Sequence, residues 1–281
     1  MSKKIFYLLN LFYHFLIVFI FLTLLFFPFS YFFSSSVDLV SMLSPPSFSH
    51  LLGTDNLGRD LLIRISETIR FAVLPLWLGV SIGSFFGTIL SLIFIFLSQF
   101  SILNFLDKLM LLFASIISSI PIAIACFVVS VLHEEADIFS VLIPLGVLFS
   151  FQTFFTINNL FHRDKNLGFW IAHRALGGSL MQRVLKYGFL KAWKNDLFQL
   201  FSFQLKAAVV IEASLSYLSF GIQEPSPSFG NILASHFDLY LKGEWFILMI
   251  ICVALWLVLS TPKSIHFMIS SALSRFRNDV T

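Results

Sequence analysis

The chain has 281 residues, of which 58% are hydrophobic and only 12% are charged. Soluble domains carry about 25% charged residues, so this composition excludes an ordinary soluble protein. The net charge of +3 is small and its basic residues are dispersed, which argues against nucleic-acid binding. Apolar runs of about 18 residues or more are typical of transmembrane helices, so we predict an all-α membrane protein.

The first predicted span is the apolar run from Ile5 to Phe27. Its apolar part is longer than that of a signal peptide, and no small-residue cleavage site follows, so we expect a retained helix. His14 lies in this run with no carboxylate within a helical turn. We therefore expect it near a packing face rather than in a proton relay.

The connection that follows contains the sequence HLLGTDNLGRDLL, which begins at His50. Thr54 is a good N-cap residue, and leucine or isoleucine recurs every four residues from Leu57 to Ile69. This spacing predicts an amphipathic helix that lies along the membrane surface. Amphipathicity does not require the polar and glycine residues of this stretch, which are Gly53, Thr54, Asp55, Gly58, Arg59 and Asp60.

The second predicted span runs from Phe71 to Leu97 and carries three glycines at intervals of four. Glycines at this spacing allow two helix backbones to approach closely, which predicts a packing face at Gly79, Gly83 and Gly87. The sequence leaves open whether the neighbouring helix belongs to this chain or to another.

The third predicted span, Leu109 to Leu132, contains Pro121, which we expect to bend the helix. The fourth predicted span runs from Ile138 to Phe155. The sequence HEEAD lies between these two spans and suggests a zinc site, but Asp137 stands where a second histidine would be needed. We therefore predict an acidic connection and no metal site.

The loop of residues 160–195, here called the basic loop, carries seven lysines and arginines against one aspartate, Asp164, with Asp196 directly after it. Asn166 to Leu176 has helical spacing, and Gly177 with Gly178 ends that helix. Ser179 is placed to cap a second helix, with Gln182 completing a capping box. The sequence therefore predicts a helix–glycine–helix element between two spans.

The last two predicted spans are Leu197 to Tyr217 and Trp245 to Ser260. The first of them contains Lys206, which we expect to reach an interface, and Glu212. An ionisable residue at membrane depth is a candidate for function, and for Glu212 a functional role and a place near the interface both remain open.

Six spans place both termini on one side of the membrane, together with the basic loop. Thirteen of the 18 lysines and arginines fall on that side and four on the other, which predicts that it is cytoplasmic. The connection after span one and the connection between spans five and six then face outward.

Three stretches resemble motifs of one family. HLLGTDNLGRDLL resembles the signature that follows span one in a permease subunit of peptide-type ABC importers, which take up dipeptides, oligopeptides or nickel. EASLSYLSFGIQEPSPSFGNIL, which starts at Glu212, resembles the second signature of that family. RALGGS, which starts at Arg174, is similar to the core of the cytoplasmic loop that docks on the ATPase subunits. The resemblance extends from about His50 to Ser260.

The resemblance implies a six-helix type I ABC importer permease fold with a permease domain over residues 71–262. Residues 1–70 would form an N-terminal span and an outward-facing amphipathic segment, and residues 263–281 a cytoplasmic tail. The ATPase-docking residues would be Ala172, His173, Arg174, Ala175, Leu176, Gly177 and Ser179. The outer signature and gate would comprise Gly53, Thr54, Asp55, Gly58, Arg59, Asp60, Glu212, Pro225, Pro227, Gly230 and Asn231.

The implied function is the movement of di- or oligopeptides across the inner membrane, driven by ATP. The implied partners are a second, non-identical permease subunit, two ATP-binding subunits and an extracytoplasmic substrate-binding protein. The sequence has no GxxxxGK[ST] phosphate loop, so we expect neither enzyme activity nor a cofactor in this chain. Alternatives are a permease for nickel or a metal complex, and an ion-coupled secondary transporter, although inverted repeats are not evident.

Four positions depart from the family pattern. The family loop begins with Glu-Ala-Ala, whereas this chain has Ile171, Ala172 and His173. Leu190 stands where the family has a proline near the end of the loop. Ser115 stands where the family has an acidic residue six positions before Pro121. For Arg59 and Asp60, contact with a binding protein and pairing with other loop residues are both open.

Overall fold

The computed structural model describes residues 3–27, 29, 37–99, 104–133, 138–237 and 245–279. Within these residues every regular element is helical. Two π-helical stretches, Ile69–Val73 and Arg183–Ala192, continue the α-helices that precede them. The α-helices are α1 (Lys3–Phe26), α2 (Leu61–Thr68), α3 (Leu74–Leu97), α4 (Asn104–Ser119), α5 (Ile122–Leu132), α6 (Ile138–Asp164), α7 (Gly168–Ala175), α8 (Leu180–Gln182), α9 (Lys194–Tyr217), α10 (Phe229–Ser235) and α11 (Phe246–Asp279).

Five helical stretches in the described residues are long and apolar enough to cross a membrane. Helices α4 and α5 add a sixth if they are counted as one broken span, since they meet at an angle of 78°. Proline has no backbone N–H and disrupts the preceding turn, and Pro121 is the N-cap residue of α5. The prediction of an all-α membrane protein is confirmed, as is the bend at Pro121.

The helix before span two differs from the prediction. It does not follow Thr54 but begins at Leu61, and it continues through the first π-helical stretch to form one 37-residue helix that ends at Leu97. Gly53 and Gly58 have positive φ angles, which interrupt any helix in that stretch. Asp60 is the N-cap residue instead, because its side chain accepts hydrogen bonds from the first turn. The predicted separate surface helix was therefore wrong.

The chain divides into two compact units, and each contains parts of several helices. One comprises residues 1–75 and 209–281; here α1 packs along α11, and α10 also contacts α11. In it His14 is buried and its Nδ1 lies 3.0 Å from Ser264 Oγ, so His14 lies at a packing face as predicted. The predicted tail from residue 263 continues α11 as helix as far as Asp279.

The other unit comprises residues 76–208, in which α4 and α5 both pack on α6. The three spaced glycines of α3 face α6 in the same unit. A Cβ atom added to Gly83 or Gly87 would collide with the backbone carbonyl of Gly146 or Ser150, and one added to Gly79 would press on Leu142. The neighbour that the sequence left open is thus a helix of this chain.

Candidate functional site

The basic loop forms the helix–glycine–helix element that its sequence predicts. Helix α7 ends at Ala175, and Gly177 then adopts a φ of +79°, which glycine tolerates best. The N–H of Gly178 donates to the carbonyl of His173 at 2.9 Å, which closes the end of the helix. Ser179 caps α8, because its Oγ accepts the N–H of Gln182 at 3.2 Å. The second π-helical stretch then continues α8.

Two tryptophans attach this element to the ends of the spans. Trp170 and Trp193 are almost fully buried and stack with ring centroids 5.9 Å apart. Trp193 Nε1 donates to Asp164 Oδ2 at 2.8 Å, at the end of α6. Both rings pack in a cluster that includes Ile95, near the end of α3. The sequence reasoning missed this pair, whose signal was two large aromatic residues within an otherwise basic segment.

The outer surface of the element is apolar and positively charged. Leu176, at the tip, is 87% exposed, and Ile171 and Met181 are each more than half exposed. Arg174 is exposed beside them. Partial burial lowers the pKa of Arg183, and the nearby positive charge of Arg174 lowers it further.

Of the predicted docking residues, all but one are exposed. Ala172, Ala175, Gly177 and Ser179 join Arg174 and Leu176 at the surface. His173 is the exception, because its ring packs 4.9 Å from that of Tyr187 in the second π-helical stretch. An added Cβ on Gly178 would strike the same imidazole. His173 therefore holds the two helical arms together.

A cluster of two arginines and two carboxylates, here called the arginine–carboxylate cluster, lies in the other unit. Asp55 is fully buried and accepts Arg59 Nε at 2.7 Å and Arg64 Nη1 at 2.8 Å. Glu224 accepts Arg59 Nη1 at 2.7 Å and also pairs with Arg64. The cluster joins the first signature to the second, and each arginine pairs with both carboxylates.

Electrostatics in this cluster favour the charged forms. Burial raises the pKa of Asp55, but hydrogen bonds from the N–H and side chain of Arg59 outweigh it, and the net pKa lies below its usual value. Burial also raises the pKa of Glu224, but the hydrogen bonds and charges of Arg59 and Arg64 outweigh it. The net pKa of Glu224 is therefore lowered as well. The contacts of Arg59 are thus pairings within the chain, one of the two open alternatives.

The remaining residues of the first signature shape the backbone around this cluster. A Cβ added to Gly58 would collide with the carbonyl of Asp38, and one on Gly53 with that of Ser44. Thr54 Oγ1 accepts the N–H of Ser44 at 2.8 Å. Asp60, besides capping α2, lies 3.0 Å from His50 Nδ1. The two glycines, Thr54 and Asp60 are buried and fix a compact turn.

The second signature packs as one folded turn. Ser228 caps α10, and with Asn231 it forms a full capping box. A Cβ added to Gly230 would collide with the carbonyl of Ala213 in α9. Glu212 is 1% exposed and accepts Ser216 Oγ at 2.6 Å, so its carboxylate does not reach the surface of the unit. Pro225 is exposed and Pro227 is half-buried.

The suggested zinc motif is only partly described. His133 is the C-cap of α5, whereas Glu134, Glu135, Ala136 and Asp137 lie outside the described residues. Across the residues that the structure describes, no three metal-ligating side chains come together. Lys206 in α9 is half-buried.

Known proteins similar to this chain are permease proteins. The chain is 25% identical over 224 residues to the oligopeptide transport system permease protein OppC of Bacillus subtilis, covering 77% of this chain and 69% of the relative. It is 28% identical over 228 residues to OppC of Haemophilus influenzae, covering 78% and 68%. It is 25% identical over 189 residues to the glutathione transport system permease protein GsiD of Pectobacterium atrosepticum, covering 67% and 60%. No family model matches the chain.

Apolar helices that can cross a membrane, joined by an exposed basic helix pair, define a multi-pass membrane protein. The relatives are named as permease proteins of oligopeptide and glutathione transport systems, and they match the chain over most of its length. This confirms the resemblance to permeases of peptide importers that the motifs indicated. The chain spans about two thirds of the length of these relatives.

Proposed function

We propose that this chain is the membrane-spanning permease subunit of an ATP-driven importer that moves short peptides into the cell across the inner membrane. Its partners would be a second, non-identical permease subunit, two ATP-binding subunits and an extracytoplasmic substrate-binding protein. ATP hydrolysis belongs to the partners, and the part of this chain is to form half of the path. The names of the relatives support the peptide cargo.

The observation that carries this proposal is the exposed tip of the basic loop. Leu176 projects from a short, rigid helix pair whose base is held by the stacked tryptophans. Leu176, with the exposed Ile171 and Met181 beside Arg174, suits a cleft that offers apolar contact and acidic or carbonyl groups. We assign that cleft to an ATP-binding subunit.

Movement follows from the stiffness of the connection. When two ATP-binding subunits close on ATP, the docked loop is carried with them. Trp193 is hydrogen-bonded to Asp164 at the end of α6. Displacement of the loop is therefore transmitted to that span and is not absorbed by a flexible linker. Packed helices move as nearly rigid bodies, which exchanges inward for outward access.

The distribution of lysines and arginines supports a cytoplasmic position for the basic loop and both ends of the chain. The arginine–carboxylate cluster then lies on the outer side, where the binding protein delivers its cargo. Because Arg59 and Arg64 form ion pairs within the chain, the cluster stabilises the structure of the outer gate. The exposed Pro225 lies next to it and provides a rigid contact surface.

The proposal is tested by uncoupling. Leu176→Asp and Gly177→Arg should leave membrane insertion intact, abolish uptake of a labelled alanine tripeptide and leave ATPase activity no longer stimulated by substrate. Leu132→Asp, at an exposed position in α5, serves as the control, and we expect it to retain coupling. Normal uptake in both loop variants would refute the docking role.

A second measurement separates the peptide cargo from the alternatives. Competition by unlabelled peptides, but not by nickel chelates, is expected for a peptide permease. Uptake that persists when the partner ATPase is inactivated would instead indicate an ion-coupled secondary transporter.

A further inference from the structure

A polar pocket of about 270 Å³ lies among three membrane-spanning helices, α3, α6 and α9, within the unit of residues 76–208. All three helices contribute polar side chains to its wall. Those side chains are Ser81, Ser84, Thr88, Thr153 and Gln204, and the rest of the wall is apolar: Phe85, Leu197, Leu200 and Phe201.

Gln204 organises this wall. It is fully buried, and its Oε1 accepts Ser84 Oγ at 2.7 Å. Its Nε2 donates to Thr153 Oγ1 and to Gln152 Oε1, both at 3.1 Å. A buried amide costs several kcal/mol in an apolar medium unless it is hydrogen-bonded. The network therefore fixes one polar surface where the three spans meet.

The pocket is open to the surroundings of the unit. Phe85, which borders it, is 64% exposed. Lipid tails offer no hydrogen-bond partners, so the hydroxyls of Ser81 and Thr88 in this open pocket favour contact with water or polypeptide over contact with lipid. By contrast, a groove in the other unit is lined by aliphatic and aromatic side chains and Met249, as contact with lipid favours.

The free hydrogen-bonding capacity of the wall consists mainly of acceptors. Ser81 Oγ donates its proton to the carbonyl of Trp77 at 2.6 Å, and Thr88 Oγ1 donates to that of Ser84 at 2.8 Å. Their oxygen lone pairs stay available, whereas Gln204 is fully buried behind them. No lysine, arginine, aspartate or glutamate lines this pocket. The wall thus suits neutral N–H donors.

We propose that this pocket is a stretch of the translocation path, where the hydroxyl oxygens of Ser81 and Thr88 accept the main-chain N–H groups of a passing peptide. Main-chain N–H groups are common to peptides of any sequence, so such a wall accepts varied cargo. Neutral acceptors bind weakly enough to release it. The inference rests on the proposed function and adds the residues of the path.

Thiol labelling tests the proposal in the intact complex. Ser81→Cys and Thr88→Cys are introduced singly after the exposed Cys252 is changed to alanine; Cys126 is buried and is retained. Ile82→Cys and Ile89→Cys, at matched depth on the exposed apolar face of α3, are the controls. Because the thiolate reacts and needs water to form, we expect the pocket thiols to react with a water-soluble methanethiosulfonate at least about tenfold faster.

Transported peptide should protect the pocket thiols. An alanine tripeptide is expected to slow labelling of Ser81→Cys and Thr88→Cys at least about threefold, as occupancy of the pocket requires, and to leave the control thiols unchanged. Rates equal to those of the controls, or rates that the peptide does not alter, would overturn the proposal.

Gln204→Leu supplies an independent measurement. It removes, at similar volume, the amide that holds Ser84 and Thr153 in place, and we expect the uptake rate to fall roughly tenfold because the wall loses its order. Phe203→Leu, at an exposed position on the same helix, should leave uptake unchanged. Unaltered uptake in Gln204→Leu would place the path elsewhere. The proposed function is judged separately. It would still be supported if the Cys252→Ala protein showed ATP-driven uptake and Leu176→Asp abolished that uptake.

Discussion

Arg59 Nη1 lies 2.7 Å from Glu224 Oε2, although 165 residues separate the two in the sequence. The bond joins two turns that the sequence presents as separate motifs. Asp55 holds the same guanidinium from the other side. The two motifs are thus halves of one folded structure, and their charged residues have partners within the chain.

The two carboxylates of this cluster should differ in their contribution to stability. Asp55→Asn leaves the buried Arg64 and the half-buried Arg59 short of a counter-charge, and we expect it to lower the free energy of unfolding by about 3–5 kcal/mol. The side chain of Glu224 is 38% exposed, so we expect Glu224→Gln to cost only about 1 kcal/mol after allowance for solvent screening. Denaturant titration in detergent measures both. Equal losses would contradict this order.

Acid should weaken the same cluster. The pKa values of Asp55 and Glu224 are lowered from 3.8 and 4.5, so the unfolded chain binds protons before the folded chain does. The stabilisation is therefore present above about pH 4.5 and is lost as the pH falls through the folded-state values. We expect the unfolding free energy to decline in this window, and less steeply in Glu224→Gln. Equal slopes in both chains would show that Glu224 does not contribute.

The crossing of α3 and α6 should not tolerate a larger side chain. Gly83→Ala places a methyl group against the carbonyl of Gly146, and we expect a loss of about 1–3 kcal/mol from overpacking. Gly168→Ala is the matched control, because nothing lies near a Cβ at that position and alanine favours helix. Thermal unfolding measures the two. A neutral Gly83→Ala would mean that the helices separate at little cost.

Much of this architecture follows from local pattern. Apolar runs located the spans, Pro121 marked the break, and Gly177 with Ser179 marked the helix pair, because each rule depends on neighbours in the sequence. The start of α2 was misplaced because Thr54 and Asp60 are both good caps, and only the positive φ angles of Gly53 and Gly58 decide between them. The pairing of Arg59 with Glu224 and the stacking of Trp170 on Trp193 depend on tertiary contacts, which spacing does not encode.

Changes to Trp193, which stacks on Trp170 at the base of the basic loop, should affect coupling more than folding. Trp193→Phe preserves an aromatic ring next to Trp170 but removes the 2.8 Å hydrogen bond to Asp164, at a cost of about 1.5–3 kcal/mol for a charged acceptor. We expect substrate-stimulated ATPase activity to fall while basal activity stays. Phe189→Leu, which alters the same cluster without touching that bond, is the control. An equal effect of both changes would indicate general loosening instead.

The central claim is that the tip of the basic loop contacts an ATP-binding subunit. The most direct test replaces Leu176 with a photoreactive benzoyl-phenylalanine in the intact complex, with the same replacement at the exposed Leu132 as control. The account predicts that Leu176 crosslinks to an ATP-binding subunit and that Leu132 does not. A probe at Leu176 that crosslinks to no such subunit, with or without ATP, would contradict it.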